Sequence, residues 1–406
     1  MAAEGAGGVK PSQTASMPAP ALRGAAGRLT RGCVHRAELV RHASCSVQAD
    51  RGGAVIAVAE VRRFIADAMK AVGTAPDRAH LLADVLVEAD YRGHYSHGLN
   101  RLELYVDDVS DGSCVASADP RVLRETAATA WVDGGHGLGP VVGRFSMELA
   151  LSKAKEVGVG WVVAKGSNHY GIAGWYSMLA LERKMLGMSF TNTSPLVSPT
   201  RSKKAALGTN PISVAVPAGK DSYVLDMATT AAALGKIEMQ RRRGQPLPVG
   251  WAQGPDGAVT TDADLAYKTQ CLMPLGGAED SAGYKGYGLA LMVETFCGLL
   301  SGSAYGPDVR RWGSSGETAN LGQCFIALDP AAFAPGFEDR AADLIGKLRS
   351  MEPADPAKPV LVPGDPERAH MEHVDQQGGV RYVAQQVESS EKLAQRLQIT
   401  PMKVLA

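Results

Sequence analysis

Residues 128–163 read ATAWVDGGHGLGPVVGRFSMELALSKAKEVGVGWVV. The apolar run 128–132 has the make-up of a strand, and the glycines that follow mark a tight turn. Apolar positions then recur at helical spacing over 141–157, Gly158 is placed to close that helix, and 159–163 is a second apolar strand. The segment is therefore a β-loop-α-β unit of an α/β fold. Its glycines invite a dinucleotide-binding reading of the Rossmann kind, which requires G-x-G-x-x-G and an acid at the end of the next strand. Gly135 and Gly137 are instead followed by Pro140, Gly137 and Gly139 by Val142, and the strand runs into Lys165. The spacing predicts a non-Rossmann turn.

On the N-terminal side, Val61, Phe64, Ile65, Ala68, Met69 and Val72 repeat at three and four, and a second helical pattern follows Pro76. These lead into SHGLNRLELY, 96–105, where His97, Arg101 and Tyr105 are four apart. On one continuous helix the three share a face, with Leu99, Leu102 and Val106 roughly 140–200° around from His97. An imidazole one turn from a guanidinium suits an enzyme of small hydroxy or oxo acids, because the guanidinium can grip a carboxylate in a fork. A half-exposed helix with satisfied polar residues gives the same pattern.

On the C-terminal side, GSNHYG, 166–171, sets His169 after the strand and before a helix expected over 172–181, as an acid/base or as a helix cap. A strand over 186–190 opens into TNTSPLVSP, and GTNP follows at 208–211; both loops suit phosphate or ribose, or are plain turns. LDMATT, 225–230, ends a strand with Asp226 and is expected to start a helix at Thr229 or Thr230. Asp226 is then an N-cap, a ribose ligand or an orienter of a histidine. GYKGYG, 283–288, places Lys285 at a glycine-rich helix entrance, where it can meet phosphate or carboxylate. The pairs His94/His97 and His370/His373 lack further ligands, so no metal is expected.

Composition bounds the class. The chain has 406 residues, 45% of them apolar and 21% charged, with 42 Lys plus Arg against 42 Asp plus Glu. It can bury a large core, and its even charge gives no reason to expect nucleic acid or an anionic membrane as partner. Six scattered cysteines read as reduced thiols of an intracellular protein. The longest apolar run, 289–300, is broken by Glu294 and falls short of the roughly 18 residues of a membrane span, so a buried core helix is expected. Residues 1–54 form an Ala/Gly/Ser/Pro-rich, arginine-bearing, acid-poor extension, read as a transit peptide or a low-complexity extension. The location is thus cytoplasmic or the mitochondrial matrix.

In their order and rough spacing, SHGLNRLELY, GSNHYG, TNTSPLVSP, GTNP, LDMATT and GYKGYGLALMVE resemble the malate/L-lactate/sulfolactate dehydrogenase family, over about residues 55–384. That family also holds ureidoglycolate dehydrogenases and piperideine-2-carboxylate reductases. The resemblance implies a non-Rossmann, mixed-sheet domain binding NAD or NADP (126–330), with an N-terminal helical substrate-side region (55–125) and C-terminal helices (331–406), in an intertwined homodimer. Carried over, Ser96 and His97 match a Ser-His pair, Arg101 and Tyr105 substrate-side residues, and His169 the acid/base, with His97 also able to supply the proton and Ser96, His97 and Asp226 forming a supporting or alternative relay. Thr193, Asp226, Met227, Ala228 and Lys285 match cofactor contacts, with Asp226 also a candidate partner of the Ser-His pair. The implied activity is hydride transfer between NAD(P) and a small 2-oxo or 2-hydroxy acid, malate dehydrogenase-like. A cyclic imine reductase and a silent dimeric binding protein are the alternatives. Two features depart from the family. Ser194 stands where some members have an acid, and Arg201, Lys203 and Lys204, which offer a 2′-phosphate contact or a solvated loop, replace an aromatic-glycine segment.

Overall fold

The computed structural model describes residues 53–314 and 316–405. The expected extension over 1–54 lies outside them except for Gly53 and Ala54. The N-terminal region holds strand β1 (Ala54–Ile56) and helices α1 (Val58–Ala71) and α2 (Pro76–Tyr91). Two single 3₁₀ turns, Tyr95–His97 and Leu99–Arg101, then lead into α3 (Leu102–Ser110). Next come β2 (Arg121–Glu125), β3 (Thr129–Asp133), α4 (Gly139–Val157), β4 (Val159–Ser167), α5 (Ala173–Met178), β5 (Leu186–Thr191), β6 (Ile212–Ala218) and β7 (Asp221–Met227). A smaller unit follows with α6 (Leu234–Arg242), β8 (Ala252–Gln253), β9 (Val259–Thr260) and α7 (Ala263–Thr269). The chain closes with α8 (Gly283–Glu294), β10 (Leu321–Leu328), α9 (Phe337–Arg349), α10 (Asp365–Gln377), β11 (Val380–Tyr382) and α11 (Ala384–Leu397).

The main sheet has seven strands in the order β2-β3-β4-β10-β5-β6-β7. β3 and β4 are parallel, as a β-loop-α-β unit requires, and the other neighbours are antiparallel, so the sheet is mixed. Gly158 takes a left-handed conformation (φ 87°) and its N–H closes α4 on the Ala154 carbonyl. Alternation along β4 and β10 divides the core in two: Val162, Ala164, Phe325 and Ala327 face α4 and α5, whereas Val163, Cys324 and Ile326 pack with Val293 and Cys297 on the other face. A separate core joins α1, α2 and α3 to the end of the chain through Val374, Val380, Tyr382 and Leu393, and β1 pairs with β11.

Three local expectations are corrected. SHGLNRLELY is not one helix, because the chain breaks at Gly98. A Cβ there would stand 1.9 Å from Asp90 Oδ1, and Asp90 Oδ2 takes the Leu99 N–H at 2.9 Å, which turns the backbone out of helical phase. Asp226 caps no helix: it lies inside β7 opposite Ser213, and the next helix starts at Leu234. The 289–300 run is half-buried, since Leu289, Leu291, Leu299 and Leu300 are exposed beside buried Val293 and Cys297. Among the described residues no helix is long and apolar enough to cross a membrane.

Candidate active site

The break at Gly98 does not scatter the polar residues of SHGLNRLELY; it re-aims them. Tyr105 leaves the expected free face and is buried with Leu102 and Val106, its ring edge-on to His169. Its hydroxyl lies 2.5 Å from His169 Nδ1 and 3.2 Å from the His169 carbonyl oxygen. The Gly171 N–H also approaches Nδ1, at 3.3 Å. A proton on Nδ1 can be donated to the phenol oxygen while the phenol donates to the carbonyl; a bare Nδ1 can accept from both Tyr105 and Gly171. In either state Nδ1 is engaged, and Nε2 makes no hydrogen bond to the described residues.

His97 stacks on His169 with centroids 5.7 Å apart, and its Nδ1 pairs with Ser96 Oγ at 2.8 Å. Arg101 Nε donates to the Ser96 carbonyl at 2.6 Å, which fixes the guanidinium and leaves its terminal nitrogens for an incoming anion. Burial, with the Arg101 and His94 charges, pushes His97 down to about 3. Burial, then His97 and Arg101, holds His169 well below the ordinary histidine range. Both rings are therefore neutral at pH 7.

Asp226 does not reach the Ser96–His97 pair. Its carboxylate accepts the Gly174 N–H at 2.7 Å, in a pocket where Arg92, His94 and Glu367 stand beside the apolar Ile172, Met178 and Val224. Burial raises its pKa, opposed by the His94 charge and the Gly174 N–H. Thr193 joins two of the loops, since its Oγ1 accepts the Thr209 N–H at 2.9 Å while the Thr229 N–H donates to the Thr209 carbonyl. Gly208 makes this approach possible, because a Cβ there would lie 2.2 Å from Thr193 Oγ1. Thr229 in turn accepts the Leu275 N–H, and Gly286 of α8 packs directly on Leu275. The half-buried Met227 and Ala228 and the exposed Lys285, in the first turn of α8, thus flank one stretch of backbone. The buried hydroxyls of Thr200 and Thr230 have no hydrogen-bond partner among the described residues. Hydroxyl donors, open backbone and a lysine beside a helix entrance fit a phosphate-bearing dinucleotide. Arg201, by contrast, is bound through two nitrogens to Glu279, at 2.9 and 2.7 Å.

The sequence reading missed the residues behind His169. The buried Asp108 carboxylate accepts from Arg310 (2.6 Å), Asn168 Nδ2 (3.1 Å) and Trp312 Nε1 (3.2 Å). Asn168 Oδ1 accepts the His169 N–H at 2.8 Å, and Ser194 Oγ bridges the Arg310 carbonyl and the Trp312 N–H. Trp312 stacks on His169 at 4.0 Å. One signal was available: Asp108 falls among the buried positions of α3, where an uncompensated acid is costly and so implies a partner.

With the fold and this geometry in place, similarity to known proteins defines the class. Residues 56–389 match the malate/L-lactate dehydrogenase family, and the chain belongs to it: an oxidoreductase of small 2-hydroxy acids. Among its relatives, a malate dehydrogenase of Pyrococcus horikoshii is 42% identical over 290 residues, 71% of this chain and 80% of that protein. An L-sulfolactate dehydrogenase of Methanocaldococcus jannaschii is 38% identical over 317 residues, 77% of this chain and 90% of that one. The solved structure of malate dehydrogenase from P. horikoshii OT3 superposes with a TM-score of 0.80 at 34% identity, covering 86% of this chain and 97% of that chain.

Proposed function

We propose that this protein is a malate dehydrogenase-like enzyme that interconverts a small 2-hydroxy acid and its 2-oxo acid with NAD or NADP, and that it works as a homodimer. The observation that carries the reading is His169: Nδ1 is held by Tyr105, Nε2 has no hydrogen-bond partner among the described residues, and Arg101 stands in the same aromatic cluster with its Nε tied to Ser96. A bound nicotinamide would supply the hydride chemistry at substrate C2. Arg101 grips the C1 carboxylate, which orients C2 and offsets the Arg101 charge, one of the causes that, after burial and His97, hold His169 down. In reduction His169 Nε2 then gives its proton to the developing alkoxide; in oxidation it takes the hydroxyl proton. Ser96 and His97 flank this ring and fix the Arg101 side. Thr193, Met227, Ala228 and Lys285 would hold the cofactor, with Lys285 on phosphate and Thr193 on the loops that face it. Asp226 would anchor the start of α5 through Gly174 at the edge of the cofactor site. The bidentate Arg201–Glu279 pair places a carboxylate beside that guanidinium, which supports NAD over a 2′-phosphate. A dimer is supported by the exposed Tyr284, Leu291, Leu299 and Leu300 along α8 and the turn after it.

The test is a panel of oxaloacetate, pyruvate, sulfopyruvate and piperideine-2-carboxylate with NADH and NADPH, followed at the reduced-nicotinamide absorbance, with His169→Asn beside the wild type. Oxaloacetate is expected to be turned over and His169→Asn to lose about 10²-fold or more in kcat. Near-normal turnover by His169→Asn would remove the assignment, and imine reduction in preference to every 2-oxo acid would replace the substrate class.

A further inference from the structure

His169 stacks with two rings. His97 lies 5.7 Å away at 21°, and the Trp312 indole lies closer, 4.0 Å away at 22°. The indole is itself fixed at three points: Nε1–H donates to buried Asp108, the backbone N–H donates to Ser194 Oγ, and Tyr105 meets the ring edge-on at 5.6 Å. Asp108 is neutralised by Arg310, an ion pair with side chains only 8% and 4% exposed. Its charge is thus spent behind the indole and does not reach the imidazole directly. The charged or titratable groups that face His169 are His97 and Arg101 from the 3₁₀ turns and Tyr105 from α3; none is an anion at neutral pH. Besides the Tyr105 oxygen, which can accept from Nδ1–H, the group placed to favour a positive imidazole is the π face of Trp312, which attracts a cation lying over it.

We propose that Trp312 is a positioning residue for the reaction: anchored by Asp108 and Ser194, its indole clamps the His169 ring in line with the substrate and stabilises the imidazolium that donates the proton. The inference rests on His169 being the acid/base of the proposed reaction. It accounts for how a ring crowded by Arg101 and His97 can carry a proton without a carboxylate partner. The sign follows directly. At unchanged burial the π face raises the His169 pKa, so replacing it with an apolar side chain that keeps water out lowers that pKa and moves the His169 limb of the rate profile to lower pH in both reaction directions.

The experiment compares wild type, Trp312→Leu and Trp312→Phe by kcat against pH at saturating substrate and cofactor. The His169 ring protons, assigned by their loss in His169→Asn, are followed by NMR. Trp312→Leu is expected to move the limb down by about half to one pH unit, lower kcat about tenfold with KM within about threefold, and shift the ring protons as the stacked indole is lost. Trp312→Phe, which keeps a π face, should recover most of the rate and of the limb. If Trp312→Leu does not fold, Trp312→Met, whose flexible unbranched side chain can adapt to the gap and has no π face, takes its place. A folded variant lacking the aromatic ring with an unmoved limb overturns the inference while leaving the His169 assignment standing. Retention of turnover and limb by His169→Asn overturns that assignment and the inference with it.

Discussion

At the scale of single residues, Arg101 and Tyr105 came from one motif but take different work. Arg101 has terminal nitrogens free for a carboxylate, whereas Tyr105 is buried with its hydroxyl on His169 Nδ1. Arg101→Lys, which loses the fork, should raise KM for the 2-oxo acid about 10-fold or more. Tyr105→Phe should instead lower kcat by about tenfold or more with KM little changed, since it removes the group that fixes the ring and its proton. Steady-state kinetics separates the two; a Tyr105→Phe effect confined to KM would return Tyr105 to the substrate side. His97, Arg101 and His169 were legible because their residue types announce chemistry at informative spacings. Asp108, Arg310 and Trp312 were not, because their partnership spans about two hundred residues and no local pattern records it. Asp226 was legible as an important acid but not in its contact, since Gly174 offers only a backbone N–H.

At the scale of elements, the break at Gly98 is controlled from the end of α2. Asp90 Oδ2 accepts Leu99 N–H and the Tyr382 hydroxyl, while its other carboxyl oxygen is buried without a partner. Burial pushes Asp90 up to about 7, and the bare oxygen is where the proton sits. A folded-state pKa raised above the unfolded value means that the folded state holds an extra proton. Stability is then full below about pH 4 and is lost as pH rises through about 7. The gap from the ordinary aspartate value corresponds to a loss on the order of 4 kcal/mol. Asp90→Asn should flatten this slope: urea midpoints of the wild type fall between pH 5 and pH 8, and those of the variant stay level. Parallel slopes in the two proteins would show that Asp90 is already ionised at pH 5. The periodicity of 96–106 could not reveal the break, because helical spacing takes no account of a carboxylate arriving from the preceding helix. LDMATT misled for a related reason. A Thr-Thr pair after an acid has capping chemistry, but Thr229 is committed to the Thr209 backbone and the chain bends through 229–232 before the helix that starts at Leu234.

At the scale of the whole molecule, the β-loop-α-β unit and its non-Rossmann character were legible because strand, turn and helix follow one another locally. The sheet order was not, since β10 is inserted between β4 and β5 and its partners lie far off in sequence. The pairing of β1 with β11 escaped for the same reason. The exposed apolar stripe of α8 belongs to this scale as well. Light scattering should give twice the chain mass, and Leu291→Glu with Leu299→Glu should halve it; a monomeric wild type would remove the dimer. The place of β10 also governs how the protein is made. Strands β4 and β5 leave the ribosome with bare edges facing each other, and the strand that zips them together follows more than a hundred residues later. Through that interval the nascent sheet is two separate halves, open to wrong pairing, so a chaperone that shields strand edges should raise the yield of folded protein more than slower synthesis does.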